Sequence, residues 1–392
     1  MTSPEPSDPP ARLHELDALR GIAALMVVLF HYTTMFGEKW GHGFDVPGAF
    51  ALGQHGVKLF FIVSGFVIYM SLQRRPTPGS FAVSRFARLA PSYWAAVLLT
   101  FIVLAAFGLP DETIGELTYN FSVADALANL TLLHWAIGIP HIDGVYWTLV
   151  VELAFYSVML LLLRCGWLNQ PRRASTALVA VGCGVVIVLA ALSAVPGAEA
   201  AGTGIAIYAF LFAAFANLFL AGIVFYRLRD GVTRPLVMTL LLTLLVEAVL
   251  RPDSFLLIVS FYVLFALLIR GGLRPIAVRP LLWLGAVSYP LYLIHQRVGY
   301  VVIHRLEGAS IDNPIVLVAV PLLIALAAAT VIHLAVELPA QRVLRARLQR
   351  RQPSPASQRL LELSAAMRGP DVAAPAPAAD PPIGAGRVVA AT

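Results

Sequence analysis

Residues 16–32 read LDALRGIAALMVVLFHY: a cation, ten uncharged residues in a row, then a histidine. An α-helix has about 3.6 residues per turn and rises about 1.5 Å per residue, so eleven residues make about three turns and about 16 Å. Arg20 and His31 therefore fall on one face of a helix, at different depths. The run from 17 to 36 has about the 20 mostly apolar residues that a bilayer core requires. Nine more runs meet or approach that length: 52–72, 89–108, 145–163, 175–195, 204–226, 235–250, 254–270, 281–304 and 314–337. The expected fold is an all-α integral membrane protein with ten transmembrane helices. The seventh and eighth, separated only by Arg251, Pro252, Asp253 and Ser254, read as a tight helical hairpin.

Composition points the same way. Of 392 residues, 59% are hydrophobic and 13% charged, against roughly 45–50% and about 25% in an ordinary soluble domain. A soluble enzyme is excluded, and so is disorder of the whole chain. Long apolar runs without alternation disfavour an outer-membrane barrel. The net charge of +6 forms no basic domain outside the apolar runs, so nucleic acid is not an expected partner. Cys165 and Cys183 make neither a disulfide framework nor a thiolate metal site, and no metal is expected. The Pro-rich start (MTSPEPSDPP) lacks a basic n-region, so the first apolar segment reads as retained. Residues 1–11 and the Ala/Pro-rich stretch 352–392 read as disordered tails around a membrane domain at 12–345.

Basic residues set the orientation. With a cytoplasmic N-terminus, thirteen arginines fall in inside loops, among them Arg74, Arg75, Arg85, Arg88, Arg172 and Arg173. Only Lys39, Arg251 and Arg305 fall outside, so both termini are placed in the cytoplasm. The longest outside connection, 109–144, carries Asp111, Glu112, Glu116, Asp125 and Asp143 but no Lys or Arg. Its middle, SVADALANLTLL, reads as a short helix at the membrane surface.

Ionisable groups inside a span are costly and normally face a partner or a wet cavity. Arg keeps its proton, whereas His titrates near neutrality. Arg20 thus suits an anion and His31 suits proton transfer; the plainer account is a snorkelling Arg and a His bonded to a neighbouring helix. Lys58 lies near the outer end of the second helix, where it can snorkel outward, and Ser64-Gly65 suits close packing. Arg85 and Arg88 share a face at the expected start of the third helix, where exposed N–H groups favour an anion. A phosphate is the natural ligand of such a fork, with topology-setting charge as the plainer account. Glu152, about two turns into the fourth helix, requires a partner, and Trp147 suits an interfacial belt. Tyr292 and His295, one turn apart, both suit the groove of the first helix, and His333 and Glu337 lie near the cytoplasmic surface.

Taken in order, these residues resemble the membrane-bound acyltransferase family 3, the inner-membrane O-acyltransferases. The carriers are Leu16-Asp17-Ala18-Leu19-Arg20-Gly21 with His31, GVKLFF…SGF, Arg85-x-x-Arg88 with Pro91, Trp147-Thr148-Leu149 with Glu152 and Phe155-Tyr156, and Ser288-Tyr289…Tyr292-Leu293-x-His295. The resemblance spans about residues 12–345. It implies transfer of an acyl group, usually acetyl, from cytosolic acetyl-CoA or another acyl-CoA. The acceptor would be a hydroxyl of a carbohydrate or macrolide-like molecule at the outer face of a bacterial inner membrane. It implies catalytic roles for His31, Arg20 and Glu152 and donor binding by Arg85, Arg88 and Arg20. Trp147, Thr148, Tyr289, Tyr292, His295 and Lys58 would line the substrate tunnel. His31 would act as general base or transient acyl carrier, and Glu152 would orient His31 or pair with Arg20. Lys58 stands where many members carry Asp. The competing reading is a proton-coupled transporter or flippase of a sugar or lipid-linked substrate, but no paired broken helices or inverted repeat are visible.

Overall fold

Apolar runs become helices wherever a start signal precedes them. In the computed structural model, which describes residues 13–73, 77–109, 121–166 and 204–350, every regular element among the described residues is helical. α1 (His14–Trp40), α2 (Gly48–Leu72) and α3 (Pro78–Phe107) come first, followed by the short α4 (Val123–Asn129) and α5 (Gly144–Arg164). Then follow α6 (Gly204–Leu228), α7 (Arg234–Leu250), α8 (Phe255–Ile269), α9 (Arg279–Gly308), α10 (Pro314–Ile332) and α11 (Leu338–Arg350). Among the described residues six helices, His14–Trp40, Gly48–Leu72, Pro78–Phe107, Gly144–Arg164, Pro252–Ile269 and Pro314–Leu344, are long and apolar enough to cross a membrane. The predicted span 175–195, the tails 1–11 and 352–392, and Arg74, Arg75, Asp111, Glu112, Glu116, Arg172, Arg173 and Cys183 lie outside the described residues. The chain divides into two compact units, Met1–Leu344 and Arg345–Thr392; the first holds every feature below.

α9 is the least uniformly apolar of the long helices, yet every residue from Val287 to Gln296 is buried. Its partners are protein rather than lipid: it packs along α1 and α10, while α2 packs along α6. Glycine permits both close crossings. A Cβ on Gly285 would sit 2.0 Å from the Asp17 carbonyl oxygen of α1, and one on Gly222 of α6 would sit 2.0 Å from that of Ile62 on α2. Gly65 meets the Phe219 carbonyl in the same way, as small residues do where membrane helices touch through their backbones. Pro91 and Pro290 lie inside α3 and α9, a placement tolerated where neighbouring groups satisfy the freed carbonyls.

Two expectations are corrected here. α3 begins at Pro78 rather than near 89, because Thr77 accepts the Ser80 N–H at 3.2 Å and Pro78 fits the first helical turn. Arg85 and Arg88 therefore lie inside a helix and gain nothing from its free N–H groups. The helix within 109–144 does form, with a capping box in which the Ser122 N–H and hydroxyl donate to Asp125 at 2.9 and 2.8 Å. Those bonds hold the Asp125 carboxyl below the usual carboxylate range. Its far end, however, packs against the middle of α3. Tyr93 Oη and Trp94 Nε1 donate to the Asn129 and Leu130 carbonyls at 2.6 and 2.9 Å. That level is about 20 Å along α3 from Phe107, where the Arg305 side chain of α9 reaches the chain. The segment is therefore sunk beside α3 instead of lying across its end. Asn129, with no exposed surface, ties it together by donating to the Asp125 and Pro140 carbonyls and accepting the Ile142 N–H.

Candidate active site

Two of the cavities between the helices bring the predicted polar residues together. The first, with roughly 750 Å³ of empty space, is lined by Arg20 of α1, Ser64 of α2, Arg85 and Arg88 of α3, Glu152 and Tyr156 of α5, and Ser288 and Tyr289 of α9. Its one carboxylate is held by hydroxyls: Ser64 Oγ and Tyr156 Oη donate to Glu152 Oε1 at 2.7 and 2.5 Å. No ion pair among the described residues involves Arg20, Arg85 or Arg88, and Arg85 Nε is buried without a partner. Three guanidiniums against one carboxylate leave the chamber short of two negative charges. Multivalent anions complement that arrangement.

The second cavity, roughly 1100 Å³, is lined by His31 of α1, Gln54, His55 and Lys58 of α2, Trp147 of α5, Phe215 of α6, Arg251, Asp253, and Gln296 of α9. Arg20 and His31 thus share a helix but open into different chambers. Val57 and Tyr292 line both. Thr148 Oγ1 and the Tyr292 hydroxyl share a 2.8 Å hydrogen bond, and both hydroxyls reach the Val145 carbonyl, at 2.9 and 3.5 Å. The two chambers therefore adjoin at a neck made by Val57 and the Tyr292–Thr148 pair.

His31 stands at the start of a π-turn, His31–Met35, a helix irregularity frequent at functional sites. Its Nδ1 is 2.8 Å from the Val27 carbonyl. A carbonyl only accepts, so Nδ1 carries the proton and Nε2 keeps its lone pair. His295 repeats the pattern: Nδ1 lies 2.8 Å from the Tyr292 carbonyl, leaving Nε2 to accept from His31 Nδ1–H at 3.1 Å. The Tyr32 hydroxyl anchors the same turn through the His295 carbonyl at 2.9 Å. Among the described residues, nothing bonds His31 Nε2.

Several expected contacts are corrected. Glu152 meets Ser64 and Tyr156 rather than His31 or Arg20, because it lies in the arginine chamber and the histidine's neighbour is His295. Ser64, read from the sequence as a packing residue, is a hydrogen-bond donor in that chamber. Lys58 does not snorkel. Its Nζ lies 2.7 Å from Glu247 Oε1 and 2.5 Å from Ser254 Oγ, because Glu247 on α7 has no exposed surface and must be compensated. Arg251 takes the other oxygen at 2.7 Å and stacks over Phe215 at 4.4 Å. The missed signal was the lone acid of an otherwise apolar seventh segment, with Arg251 four residues later. Gln296 was missed as well: it lines the histidine chamber with Oε1 buried and unpartnered. Trp147 packs against Phe215 with the ring centroids 5.6 Å apart and the planes tilted by 36°, and it lines the histidine chamber instead of forming an interfacial belt. His333 pairs with Glu337 of its own helix at 2.9 Å. Among the described residues no three His, Cys, Asp or Glu side chains converge as a metal site.

A family model described as an acyltransferase domain matches residues 13–334. This chain belongs to the acyltransferase-3 family. Among curated relatives, acyltransferase MdmB of Streptomyces mycarofaciens is 28% identical over 367 residues, 85% of this chain and 92% of that protein. Nodulation protein 10 of Rhizobium leguminosarum bv. viciae is 29% identical over 186 residues, 43% of this chain and 48% of its own length. Protein 2 in the picA locus of Rhizobium radiobacter is 39% identical over 110 residues, covering 26% of this chain and 52% of that protein. The chain thus spans about half the length of these last two relatives. Exopolysaccharide production protein ExoZ of Rhizobium meliloti is 30% identical over 148 residues, 37% of this chain and 40% of that protein. No solved structure matches. Arg20, Arg85 and Arg88 thus line one of the two adjoining chambers and His31 the other.

Proposed function

We propose that this chain is a membrane O-acyltransferase that moves an acyl group, most simply acetyl, from a cytosolic acyl-CoA to a hydroxyl of a carbohydrate or macrolide-like acceptor. The supporting observation is the pair of chambers meeting at Val57 and Tyr292, one rich in unpaired arginines and one holding His31. Coenzyme A carries phosphates at one end and a thioester on a long arm. Arg20, Arg85 and Arg88 suit the phosphates, and the neck leads from them to His31. In the proposed orientation, ten spans with cytoplasmic termini in a bacterial inner membrane, the arginine chamber faces the cytosol. ExoZ, named for exopolysaccharide production, favours a carbohydrate acceptor.

In this reading His31 Nε2 takes the proton of the acceptor hydroxyl as its oxygen attacks the acyl carbonyl carbon. The C–S bond breaks and the sulfur leaves as thiolate. The proton gained makes an imidazolium whose Nδ1–H is already held by Val27 and His295. The unpartnered Gln296 Oε1 suits a second acceptor hydroxyl. Glu152, held by Ser64 and Tyr156, sets a negative charge beside Arg85 and Arg88 in the arginine chamber.

The test is paired. Coenzyme A should raise the melting temperature of the purified protein, and Arg88→Ala should remove that rise. His31→Ala should keep it while losing transfer by about 10²- to 10⁴-fold, the usual size of a general-base contribution. Full transfer by His31→Ala would sink the mechanism, and a protein indifferent to coenzyme A would favour the transporter reading.

A further inference from the structure

A third cavity, an open groove, runs between α3 and α5 beside the arginine chamber, with Arg85 and Tyr156 lining both. Beyond those two residues its walls are largely apolar, including Leu89 and Leu149, which it also shares with that chamber, and Leu153 and Leu160 of α5. It opens sideways: Phe86 is 56% and Trp94 41% exposed. From Arg85 to Trp94 is nine residues, about 14 Å along α3, close to half of a hydrocarbon core about 30 Å thick. At that distance Leu130–Leu132, fixed by the Trp94–Leu130 hydrogen bond of 2.9 Å, line the groove. The groove thus offers a cation whose Nε is buried and unpartnered, an apolar channel about one leaflet long, and the Leu130–Leu132 segment lining it beside Trp94.

We propose that this groove holds one hydrocarbon chain of an anionic phospholipid from the arginine-bearing leaflet, with the lipid phosphate on Arg85. Charge complementarity selects an acidic head, since among the described residues the groove's only charged lining residue is a cation. The depth selects a lipid of the leaflet in which Arg85 lies: the chain runs from the guanidinium toward the midplane, to the level of the sunken segment. Because Arg85 also faces the arginine chamber, lipid phosphate and donor phosphate contend for one guanidinium. The inference rests on the proposed function only in taking these helices to span a bilayer and Arg85 to meet the donor.

The test reconstitutes the full chain with phosphatidylglycerol or phosphatidylcholine brominated in the acyl chains. Quenching of Trp94 is read as the difference between wild type and Trp94→Phe. It should half-saturate at a several-fold lower mole fraction of the brominated phosphatidylglycerol than of the brominated phosphatidylcholine, and Arg85→Gln should bring the two curves together. Ser157, which lines the groove and bonds only its own helix, offers a blocking variant: Ser157→Phe should weaken quenching by both lipids while stabilisation by coenzyme A persists. Equal quenching of wild type by the two lipids, or a phosphatidylglycerol preference that survives Arg85→Gln, overturns the proposal. So does relief of quenching by a long-chain acyl-CoA but not by coenzyme A, which would assign the groove to the donor's acyl chain. A lipid preference in a protein that coenzyme A does not stabilise would remove the acyltransferase reading and leave the lipid site standing.

Discussion

A carbonyl oxygen can only accept, so the Val27 and Tyr292 carbonyls fix the proton pattern of two imidazoles at once. His295 then occupies the place behind His31 that a carboxylate takes in a Ser-His-Asp triad, but as a neutral acceptor. If this contact orients His31, chemistry should separate variants of similar bulk. His295→Gln can still accept the Nδ1–H through its amide oxygen, whereas His295→Leu cannot. Transfer should be at least tenfold lower in the Leu variant than in the Gln variant, with equal stabilisation by coenzyme A in both. Equal losses would reduce His295 to packing. Neither the contact nor the partners of Glu152 could be read from spacing: periodicity places residues on a face, while the neighbour across that face depends on which helices adjoin.

At the scale of elements, charge and glycine hold the helices together. Lys58 of α2, Glu247 of α7 and Arg251 form a buried network. Removing one member of such a set leaves uncompensated charge at a cost of about 3–5 kcal/mol, whereas replacing all members by apolar side chains is often neutral. Glu247→Leu should therefore lower stability by that amount, and Lys58→Met/Glu247→Leu/Arg251→Met should recover most of it, as read from thermal unfolding in detergent. Gly222→Ala should cost about 1–3 kcal/mol, the usual size of overpacking, because the new Cβ has no room beside the Ile62 carbonyl. The runs that became α1, α2, α5, α7 and α8 were legible because apolar length alone defines a candidate span. The start of α3 was misplaced because hydropathy marks where a helix becomes apolar, while the cap at Thr77 marks where it begins. The sunken segment was misread because acidic composition suggests a surface, and the Tyr93 and Trp94 bonds that hold it down come from another helix.

For the whole molecule, the membrane class and the family were legible in the order of the motifs, and Arg20, Arg85, Arg88, Glu152 and Tyr289 do gather around one cavity. The division of the polar interior into two chambers was not legible, because Val57 is an ordinary apolar residue and the Tyr292–Thr148 bond joins helices distant in sequence. That neck also bears on permeability. On the proposed function an acyl group passes between compartments without the protein becoming a pore, and the two chambers approach each other across one tyrosine and one valine. Tyr292→Ala should therefore raise proton flux through proteoliposomes above that of wild type, measured with an entrapped pH dye; unchanged flux would place the seal elsewhere. Substitutions at the neck would then harm a cell in two separable ways, by slowing acylation and by short-circuiting the gradient that the membrane stores.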